Sequence, residues 1–183
     1  MQWLGWLKRT KTHDDGRLRT WRKDWTAAVE QPSRSGAQAL RARLIELGID
    51  SDDHEIEREM LEGLETLVEL SEAVAGNEPP TIPTGHRAVG ADRCYFSAPG
   101  SLPDDPAQPS GTLLLTSTRA IFVGGARAVT IPWHSVGACS RQDRDVLLVR
   151  VDRQDLHRVR CNSYGDALRA AFLAGHLSPR RRV

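Results

Sequence analysis

The sequence has little of the cysteine, the long apolar runs and the N-terminal signals that mark secreted and membrane-spanning proteins. Its three cysteines, Cys94, Cys139 and Cys161, are an odd number and form no CxxC pair, which favours buried thiols in a reducing compartment over a disulfide framework. No apolar run approaches the ~18 residues that cross a bilayer. Residues 1–11 carry their bases after a short, tryptophan-rich apolar stretch, so no secretion signal is visible. We therefore expect a cytoplasmic protein, either unattached or held peripherally at the inner face of the membrane.

Lysine is also scarce, and the charges are unevenly distributed along the chain. The 22 arginines outnumber the 3 lysines, a ratio typical of GC-rich genomes that indicates a bacterial source. Residues 46–78 carry 12 acids and 1 arginine, a net charge of −11. Residues 1–45 and 85–183 each have a net charge of +6, so the three segments sum to the total of +1. This segregation predicts that acidic and basic segments attract each other, within one chain or between subunits.

The first residues combine an apolar patch with bases. On a helix the apolar side chains of this patch fall on one side and are followed at once by positive charge, a combination that can dock onto a membrane surface or a partner. The alternative is that the patch, which is small for stable membrane binding by itself, packs against the rest of the protein. The candidate contact residues for a membrane or a partner are Trp3, Leu4, Trp6, Leu7, Lys8 and Arg9.

Residues 1–76 are predicted to form a short Trp-rich N-terminal helix followed by three further helices. A polar break at residues 12–16 separates the first helix from the second, in which apolar residues recur at helical spacing until Pro32. In the next helix Ser35 is a good N-cap and Gly48 fits the position after the C-terminus. Its predicted inward-facing residues are Leu40, Leu44, Ile45 and Leu47.

The last helix of this region is acidic and amphipathic. Asp52 and Glu55 form a plausible N-cap pair, Gly76 ends the helix, and residues 77–85 read as a Pro-rich linker. The three longer helices form a small bundle or lie separately against the rest of the chain. The apolar stripe is predicted at Ile56, Met60, Leu64, Leu67, Ser71 and Val74, with Glu57, Glu62, Glu65, Glu69 and Glu72 largely on other faces.

From residue 86 the hydrophobic period changes from about 3.6 to about 2, which indicates short antiparallel strands joined by tight turns. An amphipathic helix follows from about Tyr164 to Leu177, with Leu168, Ala171, Phe172 and His176 on one face, and residues 179–183 form a basic tail. The predicted strands are Ala88–Ser97, Gly111–Thr116, Ala120–Gly124, Ala128–Pro132, Val136–Ser140, Val146–Val151 and Leu156–Cys161.

Residues 85–178 resemble the pleckstrin-homology (PH) superfold, and in particular GRAM-type and bacterial PH-like domains. In those domains a Gly-x-Leu-x-Leu-Thr stretch leads into Arg-x-x-Phe, and the run from Gly111 to Phe122 has this form. Ile131 and Pro132 resemble the element that follows. The resemblance implies an α+β fold, in which a helical N-terminal region precedes a seven-stranded antiparallel PH-like barrel (residues 86–178) with a C-terminal helix. Leu168 and Phe172 would close one end of that barrel.

The resemblance implies little about function, because this scaffold hosts many unrelated activities. Phosphoinositide-binding PH domains place bases in the first strand–strand loop, where they pair with phosphates. Here the loop at residues 98–110 has two acids, Asp104 and Asp105, and no base, which argues against inositide recognition at the usual site. Thr116 and Arg119 are expected to stabilise a turn.

Chemistry at other sites is not favoured by the sequence. His134, Cys139, His157 and Cys161 are zinc-ligand types, but their spacing is not that of a finger or ribbon. A Ser-His-Asp set such as Ser135, His134 and Asp143 lacks a nucleophile elbow, and no phosphate-binding loop is present. We therefore predict no catalytic, cofactor-binding or metal-binding residues, and no enzyme.

Arginines in the second half of the chain could still contact an anionic partner. A basic face attracts phosphate backbones, but aromatic residues are only 5% of the chain, which disfavours nucleic acid. The sequence therefore predicts a non-enzymatic interaction or scaffolding module that binds a protein partner, with a peripheral membrane protein and a nucleic-acid-associated protein as alternatives. The candidate residues for an anionic partner are Arg150, Arg158 and Arg160.

Overall fold

The computed structural model describes residues 4–48, 54–124, 127–151 and 155–178, with side chains from Gly16 onward apart from Arg127. The chain divides into two compact units, residues 1–69 and 70–183. Unit 1 consists of helices, and unit 2 contains a seven-stranded sheet and a C-terminal helix. The predicted α+β class is therefore confirmed.

The first helix, α1, is continuous from Leu4 to Glu30. The prediction of a short helix, a break at residues 12–16 and a second helix is therefore wrong. The expected break contains no proline, and its one glycine, Gly16, costs a helix only about 1 kcal/mol relative to alanine. Thr20 Oγ1 donates a hydrogen bond to Gly16 O at 3.1 Å, as hydroxyls do within helices. A polar run without proline therefore does not end this helix.

The second helix, α2, spans Arg34–Glu46. Its N-cap is Ser33, whose side chain accepts a hydrogen bond from Gly36 N at 3.2 Å, and not Ser35 as predicted. Gly48 does follow the helix in the left-handed conformation, with φ of 69°. Leu40 and Leu44 are buried as predicted. Ile45 was also predicted to face inward, and this prediction is wrong, because its side chain is 72% exposed.

The third helix, α3, spans Glu55–Val74, and the predicted start at Asp52 lies outside the described residues. Met60, Leu64, Leu67 and Val74 are buried as the stripe predicts. At the N-terminal end the pattern is wrong, because Ile56 is exposed and Glu57 is only 1% exposed. Glu57 accepts a hydrogen bond from Arg22 Nε at 2.7 Å, so a charge partner on α1 explains its burial.

Two tryptophans of α1 hold the helices of unit 1 together. Trp21 and Trp25 are fully buried, and each indole N–H is satisfied by a carbonyl, Leu40 O at 2.9 Å and Met60 O at 2.7 Å. A buried indole usually needs such a partner. Since one acceptor lies on α2 and the other on α3, α1 packs against both helices, and the three form a bundle.

Unit 2 contains seven strands, as predicted. Six lie within about two residues of their predicted bounds, but the first begins at Cys94 and not at Ala88. Residues 87–91 form turns, in which Gly90 adopts a φ of 62° that a strand does not accommodate. The strands are β1 (Cys94–Ser101), β2 (Ser110–Thr116), β3 (Arg119–Gly124), β4 (Arg127–Pro132), β5 (Val136–Gln142), β6 (Asp145–Arg150) and β7 (Leu156–Cys161).

The strands form one antiparallel sheet in the order β4-β3-β2-β1-β7-β6-β5. β1 pairs with β2 along its length and with β7 only through Gly100 and Ser101. A Cβ at Gly100 would lie 2.6 Å from Arg160 O, so this junction between the two halves requires glycine. The sheet curls around one core, and this arrangement is consistent with a PH-like fold.

The last helix, α4, spans Tyr164–Leu177 and begins at the N-cap Ser163. Its inward face agrees with the predicted one at Leu168, which is 2% exposed, and differs at two other positions. Phe172 only partly buries itself against the core, and His176 is exposed. The small side chains of α4 allow the helix to lie close to the sheet, and the residues that contribute to the main core are Ala167, Ala170, Leu173 and Ala174.

Candidate interaction surface

The interior of the barrel is filled by side chains. Leu113, Leu115 and Leu148 are almost completely buried. The void beside Leu113 and Leu148 measures about 10 Å³, barely enough for one water molecule and far below the ~300 Å³ of a small ligand pocket. A ligand of that size therefore does not fit into this void.

One outer face of the sheet is covered by the chain itself. The segment 78–93, here called the strap, crosses the outside of β1, β2 and β3. Val89 of the strap packs with Leu114 and Ile121, and Ile82 packs against the same cluster. Ile82 N also donates to Cys94 O at 2.8 Å. The apolar side chains of this sheet face are therefore buried by the chain itself, while the domain division predicted at residues 77–85 stays a prediction.

Both ends of the strap are held by polar contacts. At the start, Glu78 accepts hydrogen bonds from Tyr95 Oη and from Arg93 Nη1, the latter at 2.6 Å. At the end, Asp92 accepts from Thr118 Oγ1 at 2.7 Å and lies 3.2 Å from Arg119 Nε. These contacts fix the strap at two points about fifteen residues apart, in agreement with its buried apolar residues.

Thr116 and Arg119 stabilise the turn between β2 and β3, as expected. Thr116 is fully buried. Its Oγ1 donates to Arg119 O at 2.9 Å and accepts from Arg119 N at 3.2 Å. Trp133 Nε1 donates to Thr116 O at 2.8 Å. The motif that carries the family resemblance thus stabilises the fold.

The outer face of β5, β6 and β7 carries exposed apolar side chains. Val149 and Leu156 lie directly opposite each other on β6 and β7 and are 38% and 54% exposed. Val151, which follows β6, is 38% exposed, and Ala138 on β5 lies opposite Val149 and is also exposed. We call Ala138, Val149, Val151 and Leu156 the apolar strip. A contiguous strip of this kind is typical of an interaction surface.

Two arginines beside the strip are paired with carboxylates. Arg160 donates to Asp145 at 2.7 and 3.0 Å, and Arg158 donates to Asp104 of the β1–β2 loop. These hydrogen bonds to Asp145 raise the pKa of the Arg160 guanidinium. Strand register places Arg150 on the opposite face of the sheet. The structure therefore brings together two of the three residues predicted for an anionic partner, and both already have local counter-charges.

The predicted N-terminal contact residues are placed only in part. Trp3 lies outside the described residues. Leu4, Trp6, Leu7, Lys8 and Arg9 belong to the backbone of α1. The described helices contain none that is long and apolar enough to cross a membrane.

Two of the three thiols have a strongly raised pKa. Burial raises the pKa of both Cys139 and Cys161 to about 12, so both are protonated at neutral pH, whereas the thiolate is the nucleophile and ligand. Cys139 Sγ lies 3.5 Å from Ala171 O on α4. Within the residues that the structure describes, no three His, Cys, Asp or Glu side chains group as metal ligands would.

Sequence reasoning missed the apolar strip, although a signal was present. In β7 the alternation places Leu156 on the same face as Arg158 and Arg160. In β6 it places Val149 and the buried Leu148 on different faces of the sheet. Apolar residues on the arginine face were an indication that this face is partly apolar. The sequence pattern could not tell whether another segment covers the outer face of β5, β6 and β7. Such cover depends on tertiary packing, as the strap over β1, β2 and β3 illustrates.

No protein-family model and no curated protein matches the sequence. Several solved structures are similar to it, and three of them, all at low identity, are the following. The C-terminal domain of an unknown protein from Leishmania infantum is 12% identical, with a TM-score of 0.42 over 50% of this chain and 89% of that one. Inner Membrane Complex sub-compartment protein 1 from Toxoplasma gondii is 13% identical, with a TM-score of 0.39 over 55% and 97%. The DH/PH domains of p115-RhoGEF are 7% identical, with a TM-score of 0.44 over 81% of this chain and 48% of that one.

Proposed function

We propose that this chain is a non-enzymatic interaction module of GRAM-like type that binds a protein partner through the apolar strip. The observation that carries the proposal is the exposure of Val149 and Leu156 on a sheet face, at a place where the other half of the same sheet is covered by the strap. The filled barrel interior leaves the outside of the sheet as the surface for recognition.

The charges beside the strip favour a protein over an anionic surface. Arg158 and Arg160 lie next to Asp104 and Asp145, so the rim of the strip has both signs in nearly equal number. A phosphate-rich surface would be repelled by the carboxylates, whereas a protein can match an apolar centre and a rim of mixed charge. The proposed partner therefore presents apolar side chains flanked by both acidic and basic residues.

The test is capture of a partner from native cell extract by the full chain and by two variants. Leu156→Glu places a charge in the strip, and Ile45→Glu places the same charge on an exposed apolar position of unit 1. We expect Leu156→Glu to weaken binding of the captured protein about tenfold or more, because loss of a central apolar contact costs at least ~1.4 kcal/mol. Ile45→Glu should bind like the wild type.

Equal retention of the captured protein by the wild type and Leu156→Glu, with thermal unfolding unchanged, would contradict the proposal. Since Leu156 is more than half exposed, its replacement should not disturb the core. A captured protein that is lost with Ile45→Glu alone would place the interface on unit 1.

A second candidate function, peripheral membrane attachment, is favoured by the length of α1. Contacts of Trp21 with Leu40 and of Trp25 with Met60 set the register of the bundle. In this register α3 begins at about the level of residue 20 of α1. The first turns of α1, which carry the Trp-rich segment, therefore extend past the start of α3.

Co-sedimentation with liposomes separates the two functions. Vesicles of anionic and of neutral lipid are mixed with the full chain and with a chain that lacks residues 1–11. Membrane attachment predicts binding of the full chain and loss on truncation. If the two chains sediment equally little with both vesicles, the membrane function is wrong and the protein-binding function is unaffected.

A further inference from the structure

We propose that the outer edge of β4 pairs with β4 of a second copy of this chain. β4 pairs with β3 over all six of its residues, from Arg127 opposite Gly124 to Pro132 opposite Arg119. It is the terminal strand in the sheet order, and no described strand lies on its other side. This inference goes beyond the proposed function and does not depend on the apolar strip.

The four central residues of β4 lack the features that usually prevent strand pairing. Such features are charged side chains, prolines and bulges. Residues 128–131 are Ala, Val, Thr and Ile, with neither charge nor proline. Ala128 and Thr130 are exposed, their register with β3 is unbroken, and Pro132 stands only at the end. The stretch is therefore a regular, neutral edge of β-branched and small residues.

The edge at the other end of the sheet is different. β5 has a register irregularity between Val136 and Ala138, and α4 packs close to it, with Cys139 Sγ 3.5 Å from Ala171 O. A bulge is one of the ways in which sheets protect an edge, and α4 lies against the same strand. The sheet thus protects β5 and leaves β4 open, and this asymmetry indicates that β4 is the pairing edge.

The row of backbone N–H and C=O groups on an edge is matched by another extended backbone. Identical strands related by a two-fold axis pair antiparallel. With Val129 opposite its own copy, Ala128 lies opposite Thr130 of the partner, so that exposed residues share one face. The two Arg127 residues are then about 13 Å apart along the strands, beyond the screening length of about 8 Å. Pro132 falls outside the paired residues. A second copy is therefore compatible in register, charge and backbone.

Sedimentation equilibrium of the full chain over a wide range of concentrations tests this pairing. Thr130→Lys places a charge on the open edge, where the two copies would bring like charges together. Ser140→Lys is the matched control, because Ser140 is an exposed residue on the opposite edge strand. We expect the wild type and Ser140→Lys to form dimers as concentration rises, and Thr130→Lys to remain monomeric. Thermal unfolding by circular dichroism checks that both variants are folded.

Two results would overturn the inference. One is a wild type that stays monomeric throughout the range, and the other is a folded Thr130→Lys that dimerises as the wild type does. If Leu156→Glu abolished the dimer while Thr130→Lys did not, the copies would meet through the apolar strip, and β4 pairing would be wrong. Loss of partner capture by Leu156→Glu with dimerisation intact would leave both proposals standing, so the two fail separately.

Discussion

Glu78 is the residue at which the strap begins, and it contacts Tyr95 of β1 and Arg93 at the other end of the strap. The hydrogen bond from Tyr95, together with the nearby charge of Arg93, lowers the pKa of the Glu78 carboxyl. Burial and the same hydrogen bond raise the pKa of the Tyr95 hydroxyl. Each partner therefore stabilises the form of the other that exists at neutral pH.

The lowered pKa of Glu78 predicts a loss of stability in acid. A carboxyl whose pKa is lower in the folded state stabilises the fold above its unfolded pKa of about 4.3, and this contribution disappears as pH falls through the folded pKa. We expect the thermal midpoint of the wild type to fall more steeply in this range than that of Glu78→Gln, which keeps an acceptor but does not titrate.

Tyr95→Phe provides the control, since it removes the hydroxyl that is the main cause of the shift. Its thermal midpoint should fall with decreasing pH as gradually as that of Glu78→Gln. If the thermal midpoints of the wild type and both variants fell equally steeply in acid, the Glu78 contact would not form in solution.

At the residue scale the apolar stripe of α3 predicted several buried positions and failed at one where a charge partner intervenes. The stripe of α3 correctly placed Met60 and Leu64 inside. It failed at Glu57, because helical spacing carries no information about Arg22 on another helix. Only the carboxylate of this pair is buried, since the Arg22 side chain is 51% exposed, and its partner lies on another helix that periodicity cannot reveal.

At the scale of elements, glycines determine where β2 and β3 can approach each other. Gly111 and Gly124 are opposite each other in the register. A Cβ at Gly111 would lie 2.2 Å from Val123 O and 2.6 Å from the Cα of Gly124. Both contacts are with backbone atoms, so the clash could not be relieved by the movement of a side chain. The close approach of the two strands at this end therefore depends on glycine.

Gly111→Ala is expected to reduce the free energy of unfolding of unit 2 by about 3 kcal/mol, the upper part of the range for overpacking. Gly85→Ala is the matched control, since a Cβ there meets no atom within 4 Å. It should be neutral or stabilise by up to about 1 kcal/mol. Urea denaturation of both variants measures the difference, and equal midpoints would show that the strands do not approach as described.

The sequence predicted these elements well where the period was sharp. Six strands and α4 were located within a few residues, because alternation and turn residues are local signals. The start of β1 was misplaced because Ala88 and Val89 are apolar, yet they pack on the sheet from the strap. The break in α1 was wrong because polarity without proline does not stop a helix.

At the scale of the whole molecule, the two halves of the sheet have different surroundings. The outside of β1–β3 is covered by the strap, and the outside of β5–β7 carries the apolar strip. Sequence pattern could identify a barrel with a terminal helix but not which outer face remains exposed, because that depends on segments distant in sequence. The candidate surface therefore came from the structure, while the predicted type of function came from the absence of catalytic motifs.

The most direct test of the proposed function is hydrogen–deuterium exchange of the full chain with and without its captured partner. The proposal predicts slower exchange of backbone amides in β6 and β7, residues 145–161, and unchanged exchange in β2 and β3, residues 110–124. Protection that appears in β2 and β3, or only in the first turns of α1, would contradict it.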